Sequence, residues 1–170
     1  MAKASDPTTE RAGRLDPHLI VLFGATGDLT RRKLLPGFLH LMDAGLLPEL
    51  QIVASALEDL DEHAYRAFAR QAVEEFARPS AVAAHWDEFA TRLSYVPQPA
   101  GAHALGEAAA RAEAALGPNA RRLHYLSIPP KAAPSVVEML DKAGLVDRAR
   151  IVLEKPFGTD LRSARRLNAI

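Results

Sequence analysis

Apolar residues along this chain fall into short unbroken runs, separated by longer stretches in which they recur every three or four positions. His18-Leu-Ile-Val-Leu-Phe23 is one such run, and a glycine follows it directly. A strand with no polar alternation is what a central parallel strand covered on both faces requires. From Thr30 to about Ala44, the residues Leu34, Leu35, Phe38, Leu41 and Met42 repeat at helical spacing, and Gly45 supplies the stop. Pro36 falls early in this helix, where a missing N–H does least harm. Leu50–Ser55 reads as a second strand, Asp61 to about Ala77 as a helix, Pro79–Phe89 as a second helical piece, and Leu93–Val96 as a third strand closed by Pro97 and Pro99. Gly101–Leu116 is an alanine-rich helix ended by Gly117-Pro118, and Arg122–Ile128 a fourth strand halted by Pro129-Pro130. A helix over Pro134–Ala143 with Gly144 behind it, a fifth strand over Arg150–Leu153 and a helix from Asp160 complete the pattern. Strands alternating with helices predict an α/β fold: a doubly wound parallel sheet with helices on both faces.

Length and charge then narrow the classes. A chain of 170 residues suffices for one domain with a real core and is short for two. Apolar residues at 48% and charged ones at 25% fit a soluble globular protein. The 21 basic and 21 acidic side chains cancel, so no basic field recruits nucleic acid and no polybasic run recruits a membrane surface. The absence of cysteine rules out a disulfide framework and a thiol nucleophile, and fits a cytoplasmic protein. No apolar run exceeds about six residues, against the ~20 needed to span a bilayer. Residues 1–17 are polar, mixed in charge and without the apolar core of a secretory signal; they read as a disordered leader to a single domain over 18–170. No histidine pair has metal-ligand spacing with a third partner, so no metal is expected.

The strongest local signal is Gly24-Ala-Thr-Gly27-Asp-Leu-Thr30. A buried strand runs into two glycines and a helix opens at once. Glycine tolerates the angles of a tight turn and lets a pyrophosphate approach without Cβ interference, and the helix N-terminus presents free N–H groups and partial positive charge. The domain is therefore read as Rossmann-like and dinucleotide-binding. The third glycine of the usual fingerprint is replaced, with Thr30 in that region. No Gly-Lys-Ser/Thr follows, so this is not a P-loop. The plainer reading is a turn that only joins strand to helix; the surrounding strand–helix–strand context favours the ligand.

Phe23-Gly-Ala-Thr-Gly-Asp-Leu-Thr-Arg-Arg-Lys-Leu34 resembles the glucose-6-phosphate dehydrogenase family, whose first turn reads Gly-Ala-Ser/Thr-Gly-Asp-Leu-Ala before a basic pair and a leucine. Tyr125-Leu-Ser-Ile-Pro-Pro130 and Ile151-Val-Leu-Glu-Lys-Pro-Phe-Gly158, with Asp160-Leu161 behind it, match in the family's order and spacing. The resemblance implies oxidation of glucose 6-phosphate at C1 to 6-phosphogluconolactone, with the hydride passing to NAD or NADP, as in the pentose phosphate pathway. It implies that Gly24, Ala25, Thr26, Gly27, Asp28 and Leu29 line the cofactor phosphates and ribose, with Lys33 near them. Tyr125 and the strand end at Ser127–Pro130 would border the nicotinamide half. Lys155 would touch substrate and cofactor and act in catalysis. Independently, a lysine at the carboxyl end of a parallel strand sits where open α/β sheets bind ligands, and its ammonium favours charge building on a sugar hydroxyl. Pro156 is expected to follow the family in a cis peptide. Asp160 reads as a helix cap, and Asp28 also has a reading as a dipole-stabilising residue.

Two departures qualify this picture. Where the family carries an arginine for the 2′-phosphate of NADP, alignment through Ile52–Ala56 places Leu57, followed by Glu58 and Asp59. Leucine cannot pair with phosphate, and the carboxylates repel it or bond a free 2′-hydroxyl, so weak NADP selectivity or a preference for NAD is expected unless Arg31, Arg32 and Lys33 compensate. In addition, the family's Arg-Ile-Asp-His-Tyr-Leu-Gly segment, with its phosphate-binding and acid/base groups, does not occur in the sequence given, which stops before the substrate-binding α+β domain. None of His18, His40, His63, His85, His103 and His124 stands in its place. Cofactor binding without turnover is therefore the expectation for this stretch, with glucose 6-phosphate as substrate and a homo-oligomer for the full-length enzyme. The alternatives are another Glu-Lys-Pro-type sugar dehydrogenase, in which Gly-Asp-Leu is unusual, and a non-catalytic binding or regulatory relative. A short-chain reductase is disfavoured because Tyr125 has no lysine four residues on.

Overall fold

The computed structural model describes residues 15–154. Strand β1 (His18–Phe23) leads into helix α1, which opens with a π-helical turn at Thr30–Leu34 and continues as α-helix over Leu35–Asp43. There follow β2 (Leu50–Ala56), α2 (Glu62–Phe76), α3 (Pro79–Thr91), β3 (Leu93–Pro97), α4 (Gly101–Leu116), β4 (Arg121–Leu126), α5 (Ala133–Lys142) and β5 (Ala149–Leu153). The five strands form one sheet in the order β3-β2-β1-β4-β5, and every neighbouring pair is parallel.

The order places β1 in the centre, and its sequence shows why. Leu19, Val21 and Phe23 point to one face and Ile20 and Leu22 to the other, all buried. On the second of these faces lie α1, α2 and α3, packing Leu35, Leu39, Tyr65, Val73, Trp86 and Phe89. Helices α4 and α5 cover the first, through Leu105, Ala108, Ala109, Val136 and Leu140. The sheet is thus doubly wound, as the alternation of elements predicts, because helices that follow β1 and β2 travel one way along the sheet and those that follow β3 and β4 travel the other.

Local chemistry sets the ends of the elements. Asp61 caps α2, its Oδ1 accepting from the Ala64 N–H at 2.7 Å. Pro36 shapes α1 more than the spacing of its apolar residues suggests: proline offers no N–H to the preceding turn, and the helix widens there so that the Leu35 N–H reaches the Thr30 carbonyl five residues back. Strand β4 ends at Leu126 and not at Ile128. The Ser127 N–H still reaches the Phe23 carbonyl (3.0 Å), but the chain then turns towards Pro129, and Ile128 leaves the sheet to pack against the α4 and α5 side. Before β1, Asp16 pairs with Arg121 at 2.9 Å and the Pro17 carbonyl accepts from the Arg121 N–H at 2.8 Å. No helix among the described residues is long and apolar enough to cross a membrane. Residues 1–14 of the leader, and Lys155, Pro156 and the helix read from Asp160, lie outside the described residues.

His124 is one of few polar side chains wholly buried in the sheet. Its Nε2–H donates to the Leu145 carbonyl at 2.7 Å, while Nδ1 has no partner among the described residues. A second proton would place a donor against nothing, and burial, helped by the nearby Arg122 charge, lowers the pKa from its ordinary value. The native state therefore binds fewer protons than the unfolded chain near the unfolded pKa of about 6.5, so stability present above that pH is lost as pH falls. The unfolding free energy from urea titrations should drop between pH 7.5 and pH 5.5, by no more than about 1.4 kcal/mol per pH unit from this group. The slope should flatten in His124→Leu; an unchanged slope in the variant would show that His124 is not its source.

Candidate functional site

The strand order reverses between β1 and β4, so their connections depart to opposite faces and leave a crevice at their carboxyl ends. Gly24 occupies that point. Its φ is +71°, in the left-handed region that glycine favours, and a Cβ built on it would lie 2.0 Å from the Ser127 carbonyl oxygen at the end of β4. The Gly24 carbonyl accepts twice, from the Gly27 N–H at 3.0 Å and from Thr30 Oγ1 at 2.9 Å. The Ala25 N–H reaches across to the Ser55 carbonyl on β2 at 3.2 Å. The N–H groups of Thr26, Asp28 and Leu29 have no acceptor among the described residues, at the positive end of α1.

The predicted cofactor residues Gly24, Ala25, Thr26, Gly27, Asp28 and Leu29 are therefore one turn at the carboxyl rim of the sheet. Asp28 is exposed and lies 3.9 Å from Arg32, a surface pair of little energetic weight. Lys33 is exposed one turn further along α1. Tyr125 stands on β4 at the same rim; its hydroxyl donates to the Glu154 carboxylate just past β5, and burial together with that carboxylate pushes its pKa up to about 12. Lys155 adjoins Glu154 in sequence but falls outside the described residues.

Leu57 is 74% exposed at the end of β2, with no side-chain chemistry for a phosphate. The adjacent Glu58 is turned towards the glycine loop, where its Oε2 accepts from Thr26 Oγ1 at 2.6 Å. Of the cations near the position of the family's arginine, Arg31 is paired with Glu75 and stacked on Phe76, and Arg32 stacks on the same ring, each guanidinium 5.4 Å from its centre. Arg31 is thus tied to α2, whereas Arg32 also lies 3.9 Å from Asp28 of the turn and Lys33 is exposed with no ion pair among the described residues.

In sequence Thr30 shows only as a departure from the third glycine of the fingerprint. It is wholly buried, and its hydroxyl ties the first turn of α1 to the Gly24 carbonyl, so it performs the close helix–strand packing with a short polar side chain. A cleft of about 680 Å³ lies at the opposite, amino end of the sheet, lined by Asp16, Glu113, Arg121, Arg122, Asp147 and Arg148 among others. Arg121 pairs with Asp16 and Arg122 with Glu113, which leaves that cleft with largely self-compensated charge. The features that suit a dinucleotide are all at the carboxyl rim: a tight turn with glycine at positions 24 and 27, free N–H groups at a helix N-terminus, and a carboxylate at the end of β2.

The glucose-6-phosphate dehydrogenase NAD-binding domain, as a family model, matches residues 21–170. The chain belongs to this family. Glucose-6-phosphate 1-dehydrogenase 2 of Mycobacterium tuberculosis is 39% identical over 160 residues, covering 88% of this chain and 31% of that protein. Glucose-6-phosphate 1-dehydrogenase of Gluconobacter oxydans is 35% identical over 168 residues, covering 94% of this chain and 33% of that protein. In structure the chain is similar to the glucose-6-phosphate 1-dehydrogenase of Mycobacterium avium, with a TM-score of 0.73 and 36% identity over 89% of this chain and 33% of that one. It is similar also to a glucose-6-phosphate dehydrogenase in complex with its substrate glucose 6-phosphate, at a TM-score of 0.76 and 27% identity over 92% of this chain and 34% of that one. The chain spans about a third of the length of these glucose-6-phosphate dehydrogenases.

The first turn of this glucose-6-phosphate dehydrogenase domain generates two predictions. Gly24→Ala sets a methyl group against backbone and forces an L residue to a positive φ, so it should destabilise the fold by at least about 2 kcal/mol. Thr30→Val keeps the volume and removes one bond to the Gly24 carbonyl, for a loss of about 1 kcal/mol. Urea unfolding of the two variants measures both. A Gly24→Ala variant as stable as the parent would contradict the close approach of β1 and β4.

Proposed function

We propose that this chain is the cofactor-binding part of an oxidoreductase that converts glucose 6-phosphate to 6-phosphogluconolactone, the NAD(P)-linked step of the pentose phosphate pathway. The observation that carries the proposal is the Gly24 turn, pressed against the end of β4 where the strand order reverses, with the N–H groups of Thr26, Asp28 and Leu29 free of acceptors among the described residues. A bound nicotinamide nucleotide supplies the hydride acceptor.

The chain's own residues divide the binding. Gly24, Ala25, Thr26, Gly27, Asp28 and Leu29 form the turn that receives the phosphates and adjacent ribose: the free N–H groups of Thr26, Asp28 and Leu29 and the helix dipole hold the anion, while Gly24, Ala25 and Gly27 set the shape of the turn, Ala25 bonding to Ser55 and Gly27 to Gly24. Lys33 adds positive charge on the same side. Tyr125, at the end of β4, borders the nicotinamide half. Lys155 is proposed as the catalytic contact to substrate and cofactor; the support for it is the Glu-Lys-Pro-Phe-Gly match and its place after a parallel strand.

The cofactor itself is proposed to be NAD in preference to NADP. Leu57 offers no charge to a 2′-phosphate, Arg31 is paired with Glu75, and the Glu58 carboxylate lies beside Thr26 at the end of β2, where it would repel a phosphate and accept from a ribose hydroxyl. Isothermal titration of the protein with each nucleotide tests this. NAD should bind as tightly as NADP or more tightly, and Glu58→Ala should weaken NAD while strengthening NADP. NADP bound tenfold tighter than NAD by the unaltered protein would contradict the assignment.

A further inference from the structure

Two tyrosines outside the resemblance join the two loops of the proposed nucleotide site from below. Tyr65, wholly buried on α2, donates its hydroxyl towards the Ala25 carbonyl in the glycine turn at 3.4 Å. Tyr95, on β3, donates to the Glu58 carbonyl in the tail of β2 at 2.7 Å. Their rings stack with centroids 4.8 Å apart and planes 22° from parallel. The Thr26–Glu58 side-chain bond closes the circuit above them, so the turn after β1 and the tail after β2 are linked once through side chains and once through stacked rings. Glu58 lies beyond the last residue of β2, where no ladder bond fixes it; its carbonyl accepts locally from the Leu60 N–H at 3.0 Å, and the Tyr95 hydroxyl is the bond that ties it to the neighbouring strand. Leu57 before it and Asp59 after it are exposed.

We propose that Tyr95 is a positioning residue for cofactor selectivity, anchoring the Glu58 backbone so that its carboxylate stays beside Thr26 at the ribose site. The inference rests on the proposed NAD preference and adds the device that maintains it. An unanchored tail would let the carboxylate spend time away from the ribose, and a ligand that needs it would pay an ordering cost on binding. Tyr95 suits the test because its ring and stacking can be kept while the hydroxyl alone is removed.

The experiment is a double-mutant cycle with Tyr95→Phe and Glu58→Ala, reading NAD and NADP affinity by titration and folding by thermal melting. Tyr95→Phe should weaken NAD roughly three- to tenfold, the scale of one neutral hydrogen bond, and leave NADP within about twofold. In the Glu58→Ala background the same substitution should have no further effect on NAD. Equal weakening of both nucleotides would mark Tyr95 as a general structural support and overturn the proposal, as would an unchanged NAD affinity or a full effect persisting without Glu58. If Glu58→Ala leaves the NAD-to-NADP ratio unchanged, the cofactor reading itself fails. If Glu58→Ala shifts the ratio and Tyr95→Phe does not, only the positioning role fails.

Discussion

At Gly24 the carbonyl oxygen of Ser127 occupies the space where any other residue would carry its Cβ. Two strands that run side by side to their carboxyl ends can approach this closely only if one of them ends in glycine, and much of the rim follows from that contact. The turn after β1 stays low against the sheet, its Gly24 carbonyl is satisfied by Gly27 and Thr30, and the N–H groups of Thr26, Asp28 and Leu29 are left without acceptors among the described residues. A turn lifted by one methyl group would separate α1 from β1, expose Thr30 and shift Thr26 away from Glu58.

The same contact links stability with binding. Strand β1 supplies the centre of both apolar clusters, so the turn that ends it is fixed by packing on two faces before any ligand arrives. A site whose groups are already held loses less freedom on binding than one built on a mobile loop. Tyr65 and Tyr95 extend this packing laterally to the tail of β2, which joins the proposed phosphate and ribose sites in one packed unit.

Much of this was legible in the sequence, and particular residues show why. The run from Leu19 to Phe23 admits little but a strand covered on both sides, and the glycines behind it locate the turn. The strand order was constrained by the alternation of elements. The π-helical turn was hidden because apolar spacing gives the helix but not the response of its backbone to Pro36. The apolar pattern runs two residues past the end of β4 because Ile128 is apolar and β-branched in either setting, and only the turn towards Pro129 sends it out of the sheet. The Thr26–Glu58 bond spans 32 positions and Tyr95–Glu58 spans 37, so each depends on which strands become neighbours and not on local spacing. Thr30 was visible as a departure from the glycine fingerprint, but its role needed the position of the Gly24 carbonyl.

The central claim is that the carboxyl rim at Gly24 to Leu29, and not the cleft at the amino end of the sheet, receives the dinucleotide. Amide chemical shifts recorded while NAD is titrated into the isotopically labelled protein test it most directly. The account predicts saturable shifts at Thr26, Asp28 and Leu29, following one binding curve, with Arg121, Asp147 and Arg148 unmoved. Shifts confined to those three residues at the amino end, with the glycine turn silent, would contradict it.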